Sequence, residues 1–344
     1  VATAFRHALP ILLCCAGTVL YTAPAAAITV ASGSPNGSDL VSPSSPTFTG
    51  VNQSVSVNLS GVVMVYGSGV GSCTGALLQD GTSILTAAHC LEGASSANVV
   101  FSGPSGPVSY GATSFIIDPG YDGSPVDGND LAIVQLGALA PAFATSYQLD
   151  TQPAVLGLPD IFVGFGYGGT GTAGYNGSAY PFGNLRAGEN ELLETGSQFD
   201  SAWSSNVLLG EFYESGVLMT NSLGVSHPFS ASDEVDIAPG DSGGPVFQNV
   251  GGIMEIVGVN DFIGCVPNNC IPNSSFGDLF GVSAIQPYLP FIDSNSAVAP
   301  EPGTSWLILG ALLGCLIVRM RRSDSVQLAF SSRQIRILGR KARG

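Results

Sequence analysis

Between residues 55 and 136 short apolar runs alternate with turns, and the runs have the period of strands. Residues 55–59 and 62–66 alternate in polarity or are β-branched, as half-buried strands do. Residues 76–79, 83–86, 99–101, 114–117 and 131–136 continue the series. That is enough strand for one small barrel, ending near Ala140-Pro141. A second series covers 161–164, 191–195, 245–247, 255–260 and 279–282. The last segment, 283–292, has Ile285, Leu289 and Ile292 at helical spacing, with Pro287 and Pro290 placed to shorten or distort a helix. No internal repeat and no βαβ rhythm is present. The pattern predicts an all-β body built as barrels rather than a parallel sheet, with a short C-terminal helix.

Both ends break this pattern. Residues 1–27 have a polar head at Arg6-His7, an apolar core over 8–20 and the small residues Ala25-Ala26-Ala27. They are expected to be a secretory signal cut after Ala27. Residues 28–47 are rich in Ser, Pro, Gly and Asn and read as a leader or linker. At the other end a polar linker (293–299) precedes Pro300-Glu301-Pro302, an apolar run over 306–318 and Arg319-Met320-Arg321-Arg322. As an anchor helix the apolar run reaches roughly 20 Å, short of the roughly 20 residues of a full crossing. The basic cluster favours the cytoplasmic side, which puts the body outside. This tripartite segment, 293–322, resembles the PEP-CTERM sorting signal of Gram-negative bacteria. The resemblance implies an exported protein of the cell envelope or exterior, held at the membrane until an exosortase-type transpeptidase processes it near Pro-Glu-Pro. The basic tail 323–344 departs from that pattern, which usually stops soon after the basic cluster.

Composition narrows the class. Only 10% of the 344 residues are charged, while Gly (46) and Pro (22) are frequent, which argues against long helices laced with salt bridges. The formal net charge is −15. Between residues 28 and 318 the only Lys or Arg is Arg186. A nucleic-acid partner would be repelled over nearly the whole body. Of the 7 cysteines, Cys73, Cys90, Cys265 and Cys270 lie in the body. Cys73 and Cys90 flank a strand–turn–strand pattern and can pair; Cys265 and Cys270 can close a small loop. An even set fits an oxidising compartment. A zinc site is disfavoured, because His227 is the only other body histidine besides His89, and no cofactor is called for.

Three segments carry chemistry: Thr86-Ala87-Ala88-His89-Cys90, Asn129-Asp130-Leu131-Ala132-Ile133-Val134 and Gly240-Asp241-Ser242-Gly243-Gly244-Pro245. A serine hydroxyl is a weak nucleophile. It needs a base within hydrogen-bond reach, and the base needs its tautomer fixed from behind. His89 at the end of an apolar strand suits the base, and Asp130 at the mouth of the next suits the orienter. Ser242 sits among glycines that permit a tight turn, and the amides of Gly240 and Ser242 can aim at one oxygen as an oxyanion hole. The order His, Asp, Ser excludes the nucleophile elbow of α/β-hydrolases, because no histidine follows Ser242. A subtilisin order would need an acid before His89, and Asp39 and Asp80 have no supporting motif.

These segments resemble the trypsin/chymotrypsin-like serine peptidases. Ser72-Cys73-Thr74-Gly75-Ala76-Leu77-Leu78 is similar to the strand before that family's histidine, and Leu279-Phe280-Gly281-Val282-Ser283 to the lead-in to its terminal helix. The resemblance covers residues 48–292. It implies two six-stranded antiparallel β-barrels, about 48–150 and 151–292, with the site between them. It implies an endopeptidase acting on polypeptides, with His89 as base, Asp130 as orienter, Ser242 as nucleophile and Gly240 with Ser242 as oxyanion donors; the alternative is a catalytically silent binding or surface-matrix protein. Where many relatives have a cysteine four residues before the serine this chain has Ala238, so Cys265 is expected to pair with Cys270. Asp236, six residues before Ser242, falls where trypsin-like relatives place a pocket acid, which would favour Arg or Lys before the cut. The family frees an apolar N-terminus to pair with the acid before the serine, here Asp241. Residues 48–51 lie roughly where that terminus is expected.

Overall fold

A computed structural model describes residues 28–31, 39–214, 223, 233–266 and 270–296. The signal segment, His227, the PEP-CTERM-like segment and the basic tail lie outside the described residues. No described helix is long and apolar enough to cross a membrane.

Six strands close the first barrel in the order Val62–Gly67, Gly71–Leu77, Ser83–Thr86, Ala132–Leu136, Gly106–Ile117 and Ala97–Gly103, the last pairing back onto the first. Its interior is apolar: Val63, Ile84, Leu85, Val99, Phe101, Ile133 and Val134 are fully buried. Strand Ala97–Gly103 alternates buried with more exposed positions, the period-two signature of a sheet with one wet face. Each such buried side chain contributes roughly 1.5–3 kcal/mol.

The second unit occupies the region where a second six-stranded barrel is expected. It is a seven-stranded sheet ordered Arg186–Glu191, Pro159–Gly164, Pro245–Val250, Ile253–Cys265, Asp278–Ala284, Val207–Glu211 and Glu194–Thr195. Its two end strands are consecutive in the chain: Arg186–Glu191 pairs with Pro159–Gly164 and runs through Leu192-Leu193 into Glu194–Thr195, which pairs with Val207–Glu211, the Leu193 amide donating to Leu209 O (2.7 Å). Within this stretch the buried Asn190 side chain ties strands together: its Nδ2 donates to the carbonyls of Glu211 (3.3 Å) and Val235 (2.7 Å), and its Oδ1 accepts the amide of Glu191 (2.7 Å).

Residues 28–30, read from the sequence as leader, form a buried strand. Ile28–Val30 runs parallel to Gly168–Thr170 and antiparallel to Val235–Asp236, inside a four-stranded sheet completed by Gly174–Tyr175. The predicted C-terminal helix is shorter than 283–292. Ser283 and Ala284 stay in strand, Gln286–Tyr288 is a 3-10 turn, and the helix is Leu289–Asn295. Pro290, which has no N–H to give, sits in its first turn. Tyr288 and Ile292 pack into the core shared by both units, where Tyr147 meets Phe247 edge-on at 4.9 Å.

Candidate active site

The site lies where the two units meet. Strand Ser83–Thr86 pairs with Ala132–Leu136, Thr86 opposite Ala132, so the residues just beyond each strand end start out as neighbours. Past Thr86 the chain dives through the fully buried Ala87 and Ala88 and turns, the amides of Leu91 and Glu92 returning to Ala88 O (2.9 and 3.1 Å). The Cys73–Cys90 disulfide (S–S 2.04 Å) ties this turn to strand Gly71–Leu77. Cys265 and Cys270 form the second bridge (S–S 2.03 Å).

His89 and Asp130 meet. The His89 amide donates to Asp130 Oδ1 (2.7 Å), and the ring Nδ1 is hydrogen-bonded to Oδ2. A carboxylate only accepts, so Nδ1 carries the hydrogen and Nε2 is left as an acceptor. Asp130 is buried, while the His89 side chain is 35% exposed at the mouth. Burial alone would raise the Asp130 pKa, but hydrogen bonds from His89 and Asp261 and the charge of His89 hold it below the ordinary carboxylate value.

Ser242 arrives from the second unit on a loop held against the barrel. Thr74 N donates to Ser242 O (2.9 Å), Thr74 Oγ1 to Gly240 O (2.9 Å), and Thr86 Oγ1 to Thr74 O (2.7 Å). Gly240 and Gly243 have φ of 98° and 81°, values that favour glycine. A Cβ on Gly243 would lie 2.2 Å from Thr86 Oγ1 and 2.3 Å from Thr74 O. Inside the loop the amides of Asp241, Gly243 and Gly244 donate to Ala238, Asn260 and Asp241 carbonyls (2.9, 2.8 and 2.8 Å). Those of Gly240 and Ser242 meet no acceptor among the described residues. The Ser242 hydroxyl donates to the Asp261 carbonyl (3.3 Å) rather than to His89.

Two groups that sequence reasoning passed over belong to this site. Asp261, at the bulge where strand Ile253–Cys265 shifts register against Asp278–Ala284, places Oδ1 4.0 Å from His89 Nδ1. The signal was a lone acid ending the apolar run 255–260. An open cavity of about 210 Å³ beside it is lined by His89, Tyr121, Gly123, Pro125, Asp130, Asp261 and Phe262. His89, Asp130 and Asp261 offer one nitrogen and two carboxyl oxygens within 4.8 Å of one another. Nδ1 is committed to Asp130, so the grouping reads as a hydrogen-bonded pair with a second carboxyl rather than as a metal cage.

The other is Ile28. Asp241 is fully buried; it accepts from the amides of Gly166 (2.8 Å) and Ala238 (2.8 Å), and from that of Ile28. Burial pushes its pKa up to about 7 against these amides and the nearby Arg186 charge. The segment facing Asp241 is therefore Ile28–Val30, and not 48–51. Phe48 instead packs in the barrel-side core, its strand Thr47–Phe48 paired with Val57–Asn58.

Asp236 lies in the wall behind the Ser242 loop. It is 1% exposed, opposite Thr29 in the added strand, and Thr29 Oγ1 donates to its backbone carbonyl (3.3 Å). Burial, then the charges of Asp278 and Asp241, push its carboxyl well above the ordinary range. Both of its carboxyl oxygens lack a hydrogen-bond partner among the described residues.

Residues 51–276 match the sequence profile of the trypsin family. That is more than half of the chain, and the chain belongs to the trypsin family. No curated protein matches it.

Proposed function

We propose that this chain is an exported serine endopeptidase that hydrolyses peptide bonds through an acyl-enzyme. The observation that carries the reading is the His89–Asp130 pair, its Nε2 free to accept, in a trypsin-family domain whose Ser242 loop holds two unengaged amides. In this reading the Ser242 hydroxyl leaves the Asp261 carbonyl for His89 Nε2, which takes its proton as Oγ attacks the scissile carbonyl. The amides of Gly240 and Ser242 hold the resulting oxyanion. The imidazolium, steadied by Asp130, returns the proton to the leaving amine, and water then releases the acyl group. The present bond of Ser242 to Asp261 O favours, as a second reading, a silent binding protein. Labelling decides: a fluorophosphonate should modify the processed protein at Ser242, and Ser242→Ala should lose both labelling and hydrolysis. Processed protein that is folded yet inert to the probe rejects the enzyme.

Maturation by one cut after Ala27 is part of the proposal. Ile28 has φ 63°, a left-handed conformation that is an outlier for a β-branched residue, and its side chain is fully buried. Cutting the preceding bond removes the carbonyl that defines this strain and turns the amide facing Asp241 into an ammonium. The exported protein should then begin at Ile28 on N-terminal sequencing; an active form beginning near residue 48 would remove this route. Retention by the 293–322 segment is tested by deleting everything from Pro300 onward, which should release the body from the envelope. A preference for Arg or Lys before the cut rests on Asp236, six residues before Ser242, whose carboxyl oxygens have no partner among the described residues. A peptide-library profile led by basic residues is expected; one led by large apolar residues would discard the Asp236 pocket.

A further inference from the structure

We propose that Asp261 is a positioning residue of the catalytic apparatus: in its uncharged form it donates its carboxyl hydrogen to Asp130 and holds that carboxylate against His89. The inference rests on the serine-peptidase reading above and adds a fourth side chain to it.

The geometry leaves few arrangements. Asp261 and Asp130 are both buried, and their carboxyls are within hydrogen-bonding reach of each other. Two carboxylates cannot share a buried contact as two anions; one must hold a proton. Asp130 is fixed as the anion, because it accepts from both the amide and the ring of His89. Asp261 has one donor, Ser283 Oγ on Oδ2 at 3.1 Å, and its Oδ1 has no partner among the described residues. Oδ1 is therefore the oxygen that carries hydrogen, and Asp130 is the acceptor beside it.

The remaining ionisable groups around Asp261 agree. Tyr121 and Tyr288 have phenol pKa values raised, chiefly by burial, and neither can supply a cation. Among the described residues, His89 is the one group nearby able to become a cation. With no fixed cation facing Asp261, burial and the Asp130 charge keep its carboxyl well above the ordinary range. The proton on Asp261 stays there through the reaction, while His89 carries the proton taken from Ser242. Asp261 also shapes the nucleophile's surroundings through its backbone, since its carbonyl accepts the Ser242 hydroxyl. One residue at a strand bulge thus addresses the orienter with its side chain and the nucleophile with its main chain.

The test compares Asp261→Ala and Asp261→Asn in the processed protein, with kcat expressed per fluorophosphonate-titrated site so that unfolded protein does not count. Removing the hydrogen bond to a buried anion should lower kcat in Asp261→Ala by about 30-fold with KM little changed. Asparagine keeps a donor and is neutral at every pH, so Asp261→Asn should recover about tenfold of that loss. The acid limb of kcat/KM, set by His89, should stay within about 0.3 pH unit of the parent in Asp261→Asn. Were Asp261 an anion 4.0 Å from Nδ1, its removal would move that limb down by about one unit or more. Such a shift, an asparagine variant no better than alanine, or an alanine variant within threefold of the parent would overturn the inference while the parent remains an active peptidase. A parent that neither hydrolyses nor labels would instead sink the peptidase reading, and this inference with it.

Discussion

The six-stranded barrel and the seven-stranded sheet bury different chemistry. The barrel interior is Val, Ile, Leu and Phe, and its buried acids, Asp118 and Asp130, flank its functional end. The second unit encloses Asp160, Glu189, Glu191, Glu211, Glu234, Asp236, Asp241 and Asp278, with Arg186 the buried cation, its Nε 2.9 Å from Asp39. One unit is therefore an ordinary hydrophobic scaffold. The other is an acid-lined body whose stability is linked to proton binding. The contrast also divides the proposed labour: the barrel supplies base and orienter, and the acidic unit supplies nucleophile, oxyanion amides and the second carboxyl.

The largest effect should come from the barrel side. Asp130→Asn keeps the shape but swaps the acceptor facing Nδ1 for a group that can donate, so the wrong tautomer of His89 is favoured. A fall in kcat of about 10³-fold or more is expected from the triad precedent, with labelling of Ser242 slowed in parallel. A fall below tenfold would mean that the barrel does not supply the orienter.

Next is the seam between the units. In Gly243→Ala the new methyl meets Thr86 Oγ1 at 2.2 Å and Thr74 O at 2.3 Å, at a φ of 81°. Overpacking and left-handed strain together should cost about 3 kcal/mol, and kcat/KM should drop at least about tenfold as the Ser242 loop moves off the barrel. Calorimetry and steady-state kinetics check the two parts separately. Normal kinetics would show that the loop does not depend on its contact with Thr74 and Thr86.

The same contrast explains what could be read from the sequence. The barrel strands were legible because an apolar interior leaves a period-two trace, as at 62–66 and 83–86. Strand Arg186–Glu191 was not: its sequence Arg-Ala-Gly-Glu-Asn-Glu is buried throughout, so polarity there does not report exposure. Strand Val207–Glu211 leaves no such trace either, and Ile28–Val30 reads as linker because only the partner strands 168–170 and 235–236 make it a strand. The His89, Asp130 and Ser242 segments stood out through local motifs. Asp261 and the approach of Ile28 to Asp241 are contacts between distant parts of the chain, and no local pattern carries them.

A global pH effect should follow from the acidic unit. Burial, then the charge of Asp233, pushes Glu189 up to about 7; burial, then Glu191 and Asp233, pushes Glu234 up to about 8. Both bind protons more tightly folded than unfolded, where glutamate titrates near about 4.3. Their contribution is therefore full below that value and is lost as pH rises through about 7 and about 8. Tm should fall by at least about 5 °C between pH 5 and pH 8.5. A Tm that rises over this range would contradict protonated carboxyls in the second unit.

The smallest effect is the most selective. Glu234 accepts the Tyr213 amide on Oε1 (2.8 Å), and its Oε2 has no partner among the described residues. Glutamine keeps the acceptor and places its amide nitrogen where the protonated oxygen stood. Glu234→Gln should therefore change stability by less than about 1 kcal/mol at pH 5, where the native carboxyl is already neutral. At pH 8.5 it should be more stable than the parent by about 1–3 kcal/mol, because it has no proton to lose. Ile84→Ala supplies the barrel-side control, losing about 3 kcal/mol at either pH because cavity formation does not titrate. Chemical denaturation of the three proteins at both pH values tests the comparison at single-residue scale. A Glu234→Gln variant destabilised equally at pH 5 and pH 8.5 would mean that this carboxyl acts through its shape, and the proton linkage assigned to the second unit would have to come from its other buried acids.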